Sequence, residues 1–173
     1  MIKRFCFSIV FLLFIFVLVI MLMYSDRQEV SLYQCVDGDT AWFLIQGKKV
    51  KVRFLAIDTP EIAHDSRKAD VYGDSAREYT CKMLKNAQHI DLEYDEGSSK
   101  KDKYGRVLAW VFVDDKNLNY LLVKKGYAMV RYVYGDYRYL DMLCDSQEEA
   151  YQHKKGIWKY NAPEYSDNYC LQR

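Results

Sequence analysis

A chain of 173 residues, half of them apolar, holds material for one compact domain and a tail, which excludes a two-domain protein. A charged fraction of 28% excludes global disorder, and 16 tyrosines suit a β-rich core with a stacking surface. Lys3 and Arg4 are the only charges before residue 25; without them 23 basic side chains face 24 acidic ones, a net of −1, so bulk positive charge cannot be what draws a polyanion to the domain.

Met1-Ile2-Lys3-Arg4 is a short basic lead, and an apolar run extends from Phe5 to Met23. Its 19 residues come close to the ~20 needed to span a bilayer as a helix and exceed the ~7–15 of a cleaved signal's apolar core. No small-x-small cleavage site follows. Residues 1–24 are therefore expected to be an uncleaved signal anchor, a single transmembrane helix with Lys3 and Arg4 on the cytoplasmic side. The domain then faces outward from the cell membrane; if the segment is cleaved, the protein is secreted. Residues 25–31 read as a polar tether, 32–160 as the folded domain and 161–173 as a loosely ordered tail.

From Leu32 the pattern turns to strands. Asp37-Gly38 is a hairpin-type turn signal, Ala41 to Ile45 is rich in strand formers, and Gln46-Gly47-Lys48 makes the next turn. Lys49, Lys51 and Arg53 then alternate with Val50, Val52 and Phe54, a half-buried strand with a basic outer face. His64 to Val71 reads as a polar loop. Asp74 or Ser75 is expected to cap a helix running to Asn86. His89 to Tyr94 alternates again, a basic loop follows, and Arg106 opens the apolar run Val107–Val113. A short helix is expected over Asn117–Lys124, a strand over Tyr127–Tyr134 and a last helix over Leu140–His153, stopped by Gly156. Short strands with inserted helices suggest a small barrel of the OB type.

Five cysteines occur, with no C-x-x-C pair, and the three histidines are scattered, which argues against zinc. Cys35, Cys81, Cys144 and Cys170 permit up to two disulfides in any of three connectivities. A Cys144–Cys170 bridge would tie down the tail.

Two acidic motifs bracket an arginine: Asp37-Gly38-Asp39-Thr40, and Arg53 through Asp58-Thr59-Pro60-Glu61. Each has an ordinary explanation, a hairpin turn in the first case and a helix start in the second. Arg53 lies five residues before Asp58, so on an ideal strand the two would point to opposite faces. They can share a pocket only if the chain bends between them, and the Thr59-Pro60 break suggests such a bend. Arg106 stands downstream in Asp102-Lys103-Tyr104-Gly105-Arg106, and Tyr132 and Tyr134 are two apart on one expected strand. Three carboxylates and two guanidinium groups can hold a hard metal ion, activate a water and clamp a phosphate.

Taken jointly, these segments resemble the staphylococcal nuclease (thermonuclease) family from about Tyr33 to Trp158, with Tyr72-Gly73 and the closing Gly156-Ile157-Trp158 completing the match. The resemblance implies an α+β fold, a five-stranded OB-fold β-barrel with three α-helices, here preceded by the transmembrane helix. It further implies a monomeric, calcium-dependent endonuclease that cleaves DNA and RNA and leaves 3′-phosphorylated ends. Position by position, Asp39 and Asp58 match the Ca²⁺ carboxylates, with the Thr59 carbonyl as a further ligand. Glu61 matches the general base, Arg53 and Arg106 the phosphate-binding arginines. Lys103, Tyr104, Tyr132 and Tyr134 match the lining of the nucleotide pocket. Stacking on those tyrosines would favour single-stranded substrate. The loop Asp95–Asp102 is longer than the family pattern and Gly135–Tyr139 is shortened, which bears on substrate preference. The competing reading is a non-catalytic OB module that binds nucleic acid or a protein partner; its mark would be loss of Glu61 or of either arginine, and all three are present.

Overall fold

Gln46 and Gly47 reverse the chain with positive φ angles of 49° and 77°, the backbone that a two-residue hairpin needs to match strand twist. The computed structural model describes residues 27–63, 68–159 and 169–172. In chain order its strands are β1 (Arg27–Glu29), β2 (Ser31–Cys35), β3 (Thr40–Ile45), β4 (Lys48–Phe54), β5 (Ile57–Asp58), β6 (Ile90–Glu93), β7 (Val107–Val113), β8 (Lys116–Asn117) and β9 (Met129–Val130). The helices are α1 (Gly73–Asn86), α2 (Leu118–Lys124) and α3 (Leu140–Gln152), with single 3₁₀ turns at Gly156–Lys159 and Tyr169–Gln172. This is the expected α+β class with three helices. The anchor at 1–24 and most of the tail lie outside the described residues, and no described helix is long and apolar enough to cross a membrane.

Seven strands form one sheet in the order β1-β6-β7-β4-β3-β2, with β8 added to β7; β5 and β9 make a separate pair. All pairings are antiparallel except β4 with β7. The first and last strands of that path are neighbours in the chain. Only Val30 separates β1 from β2, and its N–H donates to Ile90 O at 2.9 Å. The inward faces meet in one core around Phe43, Val52, Phe54, Leu92, Trp110 and Val111, onto which α2 packs Leu118 and Leu122 and α3 packs Leu143. Burial of this set supplies the main drive to fold.

Several boundaries differ from the sequence reading, each for a tertiary reason. Arg27–Glu29, expected as tether, is a strand because Arg27 donates to Glu93 at 3.1 Å and lies 3.4 Å above the Phe112 ring. The strand expected over Tyr127–Tyr134 shrinks to Met129–Val130, since β5 offers two residues for pairing and Tyr132 takes a left-handed φ of 59°. Helix α1 begins at Gly73 after a left-handed Tyr72, with no side-chain cap, and Asp74 sits in its first turn, where a carboxylate opposes the helix dipole.

Cys144 and Cys170 form a disulfide that ties the 3₁₀ turn at Tyr169–Gln172 to α3, with Cα atoms 5.3 Å apart. Cys35 and Cys81 are thiols. Burial, followed by a hydrogen bond with Cys81, pushes Cys35 up to about 12.

Candidate active site

The charged core of the site sits where elements begin or end. Asp39 immediately precedes β3, Arg53 is the penultimate residue of β4, Asp58 ends β5, Arg106 precedes β7 and Arg131 follows β9. Ends of strands from both sheets gather around a cleft of about 620 Å³. Asp39, Arg53, Asp58, Glu61, Lys103, Tyr104, Arg106, Tyr132 and Tyr134 all line it, and Thr59 reaches it through Asp39.

The bend required between Arg53 and Asp58 is present, but earlier than expected. It falls at Leu55-Ala56, where Ala56 has φ 60°, and no helix starts at Pro60. Three long-range bonds hold it: Leu55 N–H donates to Ala109 O at 3.0 Å, Asn119 Nδ2 donates to Leu55 O at 2.8 Å, and Arg131 N–H donates to Ala56 O at 3.0 Å. The turn brings Arg53 Nη2 to 2.7 Å from Asp58 Oδ1, while Nη1 is in ion contact with Asp39 Oδ2. That buried Nη1 makes no hydrogen bond of acceptable geometry. Two carboxylates thus converge on one buried positive charge. Burial alone would lower the Arg53 pKa, but Asp39 and then Asp58 hold it above its ordinary value.

The loop bearing Asp39 is fixed by its surroundings. Asp39 Oδ2 accepts from Thr59 N–H at 2.8 Å and from Thr59 Oγ1 at 3.0 Å, and Oδ1 accepts from Thr40 Oγ1 at 3.0 Å. From α1, Thr80 Oγ1 donates to Gly38 O at 2.6 Å and Arg77 Nε to Val36 O at 3.0 Å. Gly38 is obligatory for this fit: a Cβ there would stand 2.7 Å from Thr59 Oγ1 and 2.9 Å from Ala76 Cβ. Burial and the neighbouring Asp39 push Asp37 up to about 7. Burial also raises Asp58, against the opposing pull of Arg53.

Glu61 differs from the other two acids. It is exposed at the cleft edge, and no ion pair holds its carboxylate among the described residues. Its main chain is fixed instead: Glu61 N–H donates to Asp70 Oδ2 at 3.2 Å, and Asp70 N–H donates to Glu61 O at 2.9 Å. Gly73 packs so tightly under it that a Cβ would lie 2.2 Å from Glu61 O. Opposite, Asp102 accepts from Arg106 Nε at 2.6 Å and from the N–H groups of Tyr104 and Arg106 at 2.9 Å. One face of the Arg106 fork is therefore fixed, and its two Nη groups have no partner among the described residues. The guanidinium also lies 5.5 Å from the Tyr104 ring, and Arg53 lies 5.8 Å from the Tyr132 ring.

Three participants were not singled out from sequence. Arg131 donates to Asp58 Oδ2 at 3.1 Å, Asp102 orients Arg106, and Asp37 adds a further acid to the cleft wall. For Arg131 the available signal was its place just before Tyr132-Val133-Tyr134.

Among the described residues no group of three His, Cys, Asp or Glu side chains forms a metal cage. Asp39, Asp58 and the Thr59 main chain nevertheless make an all-oxygen set at a point that already accommodates a cation, which fits a hard divalent ion completing its shell with water.

Residues 51–160, well over half the chain, match the family model described as staphylococcal nuclease homologue. The chain belongs to that family. Within it, the chain is 40% identical over 131 residues to Endonuclease YncB of Bacillus subtilis, covering 75% of this chain and 61% of the relative. It is 40% identical over 138 residues to the SPbeta prophage-derived endonuclease YokF of the same organism, covering 79% and 46%. It is 33% identical over 134 residues to Thermonuclease of Staphylococcus hyicus, covering 78% of each. The chain thus spans less than two thirds of either Bacillus subtilis relative. The family match begins after the Asp37–Asp39 loop, so the contact of Asp39 with Arg53 and Thr59 is what joins that loop to the family's site.

Proposed function

We propose that the protein is a calcium-dependent nuclease that hydrolyses phosphodiester bonds of DNA and RNA and leaves 3′-phosphorylated ends. The observation that carries this reading is one cleft lined together by Glu61, whose carboxylate has no ion pair among the described residues, by Arg53 and Arg106, and by a pair of cation-holding carboxylates, Asp39 and Asp58. The relatives named as endonucleases and a thermonuclease support it.

Calcium held by Asp39, Asp58 and the Thr59 carbonyl supplies neutralisation of phosphate charge. Glu61, which no arginine engages among the described residues, accepts the proton of the attacking water. Arg106, fixed by Asp102, presents the rest of its fork to phosphate oxygens, and Arg53 adds a second guanidinium where charge builds on the equatorial oxygens. Lys103 adds positive charge at the rim, and Tyr104, Tyr132 and Tyr134, all exposed, offer stacking faces that need an unpaired base, so single strands are preferred.

The return of the sheet path to itself at Val30 supports reading its six strand segments as a closed five-stranded OB barrel, with β1 and β2 as halves of one bent strand and β8 off the path. The apolar run at residues 5–23 supports a membrane anchor with the domain outside. The test of the activity is cleavage of labelled single-stranded DNA and RNA by the full-length chain, with calcium or with a chelator. Turnover is expected only with calcium, and Glu61→Gln is expected to lower kcat by about 10²-fold or more while leaving strand binding intact. Wild-type turnover in Glu61→Gln would remove Glu61 from the mechanism.

A further inference from the structure

The outer face of β4 repeats one unit three times. Lys49 Nζ lies 3.9 Å from the Tyr33 ring, Lys51 Nζ 5.9 Å from the Trp42 ring, and Arg53 Cζ 5.8 Å from the Tyr132 ring. Strand alternation puts the three cations on one face, with Val50, Val52 and Phe54 turned inward. The pairing register places Trp42 directly opposite Lys51 and Leu44 opposite Lys49. A bulge between Leu32 and Gln34 in β2 throws Tyr33 out of register to meet Lys49, and Tyr33 is 46% exposed. The last of the three units is in the cleft; the other two lead away from it.

The ordinary reading is that lysine stems cover aromatic surface on an exposed strand. Two observations exceed it. The strands β2, β3 and β4 carry Lys48, Lys49, Lys51 and Arg53 and no acid at all, in a domain whose overall balance is −1. Moreover, Lys48, Lys49 and Lys51 have no ion pair among the described residues; Lys49 Nζ donates to the neutral Tyr33 hydroxyl at 2.5 Å, which leaves its charge uncompensated. The face is also continuous with the cleft through Arg53, and its two-residue step of roughly 6.8 Å suits a stretched strand, whose bases have left the ~3.4 Å stacked spacing.

We propose that this face is a binding track for single-stranded nucleic acid beyond the cleft, with Lys51 and Lys49 on successive phosphates and Trp42 and Tyr33 stacking bases. The inference rests on the nuclease reading for its occupant and for nothing else. It explains how a domain of net negative charge holds a polyanion: four of its positive side chains lie along one strand that carries no acid.

The test separates the track from the cleft by substrate length. Binding of the full-length chain to a labelled single-stranded 15-mer and to a trimer is measured by fluorescence anisotropy in chelator, so that no cleavage intervenes, at several salt concentrations. The exposed pair Lys49→Ala/Lys51→Ala is expected to weaken 15-mer binding about tenfold and to flatten the salt dependence by about 1.4 units of slope, ~0.7 per lost phosphate contact. The trimer, which the cleft alone can hold, is expected to change less than twofold. Trp42→Phe, which keeps a stacking face, is expected to bind the 15-mer like wild type, whereas Trp42→Ala loses about tenfold. Equal effects on both lengths, or none, would overturn the track even if cleavage is normal. Weakened binding to vesicles of anionic phospholipid with the 15-mer unaffected would overturn it too, and would reassign the face to a membrane surface. If the wild type never cleaves, the cleft reading fails, and the 15-mer measurement still decides the track.

Discussion

Asp102 shows how much a single side chain settles in this protein. Its two oxygens accept three N–H groups of the Tyr104–Arg106 turn, so Arg106 is aimed before any substrate arrives. Lysine at 106 would offer a point charge in place of a fork whose third nitrogen is already fixed. We expect Arg106→Lys to lower kcat/KM by about 10²-fold with the protein still folded, as read from initial rates on a single-stranded oligonucleotide. Burial works against the Asp102 charge, but the Arg106 bonds outweigh it and hold its pKa below the usual 3.8. A carboxylate lowered by folding stabilises the fold above its unfolded value, and that contribution disappears as pH falls through the folded one. Asp102→Asn keeps an acceptor for the turn but sets an amide against Arg106 Nε. It should therefore be destabilised at pH 7 relative to wild type and lose less than wild type between pH 5 and pH 2.5, as urea midpoints would show.

At the scale of elements, the site depends on a bend that the β4–β5 segment cannot hold alone. Asn119 on α2 is fully buried; its Oδ1 accepts Val111 N–H at 3.1 Å and its Nδ2 donates to Leu55 O. Asn119→Ala would leave both groups buried and unpaired, at a cost of about 3 kcal/mol in denaturant unfolding, and should lower activity further by releasing Asp58. The Cys144–Cys170 bridge closes a segment with a sequence separation of 26. Its reduction should cost about 3 kcal/mol and leave the cleft intact, so that activity at 25 °C survives while the unfolding midpoint falls. The same scale explains what sequence could reveal. The hairpin at Gln46-Gly47 and the alternation Lys49, Lys51, Arg53 are local and were legible. So were the helices, to within a residue or two. Partners far apart in the chain decided the rest. Arg27–Glu29 is a strand because of Glu93, 66 residues on from Arg27, and Asp58 is held by Arg131, 73 residues on. Ala56, Tyr72 and Tyr132 adopt positive φ with no glycine to announce it.

At the scale of the whole molecule, the seven-stranded sheet and the β5–β9 pair deliver the ends of separate strands to one cleft, and a helix holds the Asp37–Asp39 loop in place through Thr80 and Arg77. The individual motifs were readable because turn residues, arginines and acids recur in a fixed order. Spacing alone set Arg53 and Asp58 on opposite faces; the Thr59-Pro60 break hinted at a bend between them, and the family resemblance drew the motifs into one site. Calcium should act on the whole fold as well as on turnover: at one hundred times its Kd it should stabilise the protein by about 2.7 kcal/mol, and this gain should vanish in Asp39→Ala.

The most direct test of the central claim is to map the ends of the fragments that the full-length chain produces from end-labelled single-stranded DNA and RNA. The account predicts calcium-dependent fragments ending in 3′-phosphate from both nucleic acids, lost together in Glu61→Gln and Arg106→Lys. Intact substrate with calcium present and the protein folded would contradict it and leave a cleft that binds nucleic acid without cutting it.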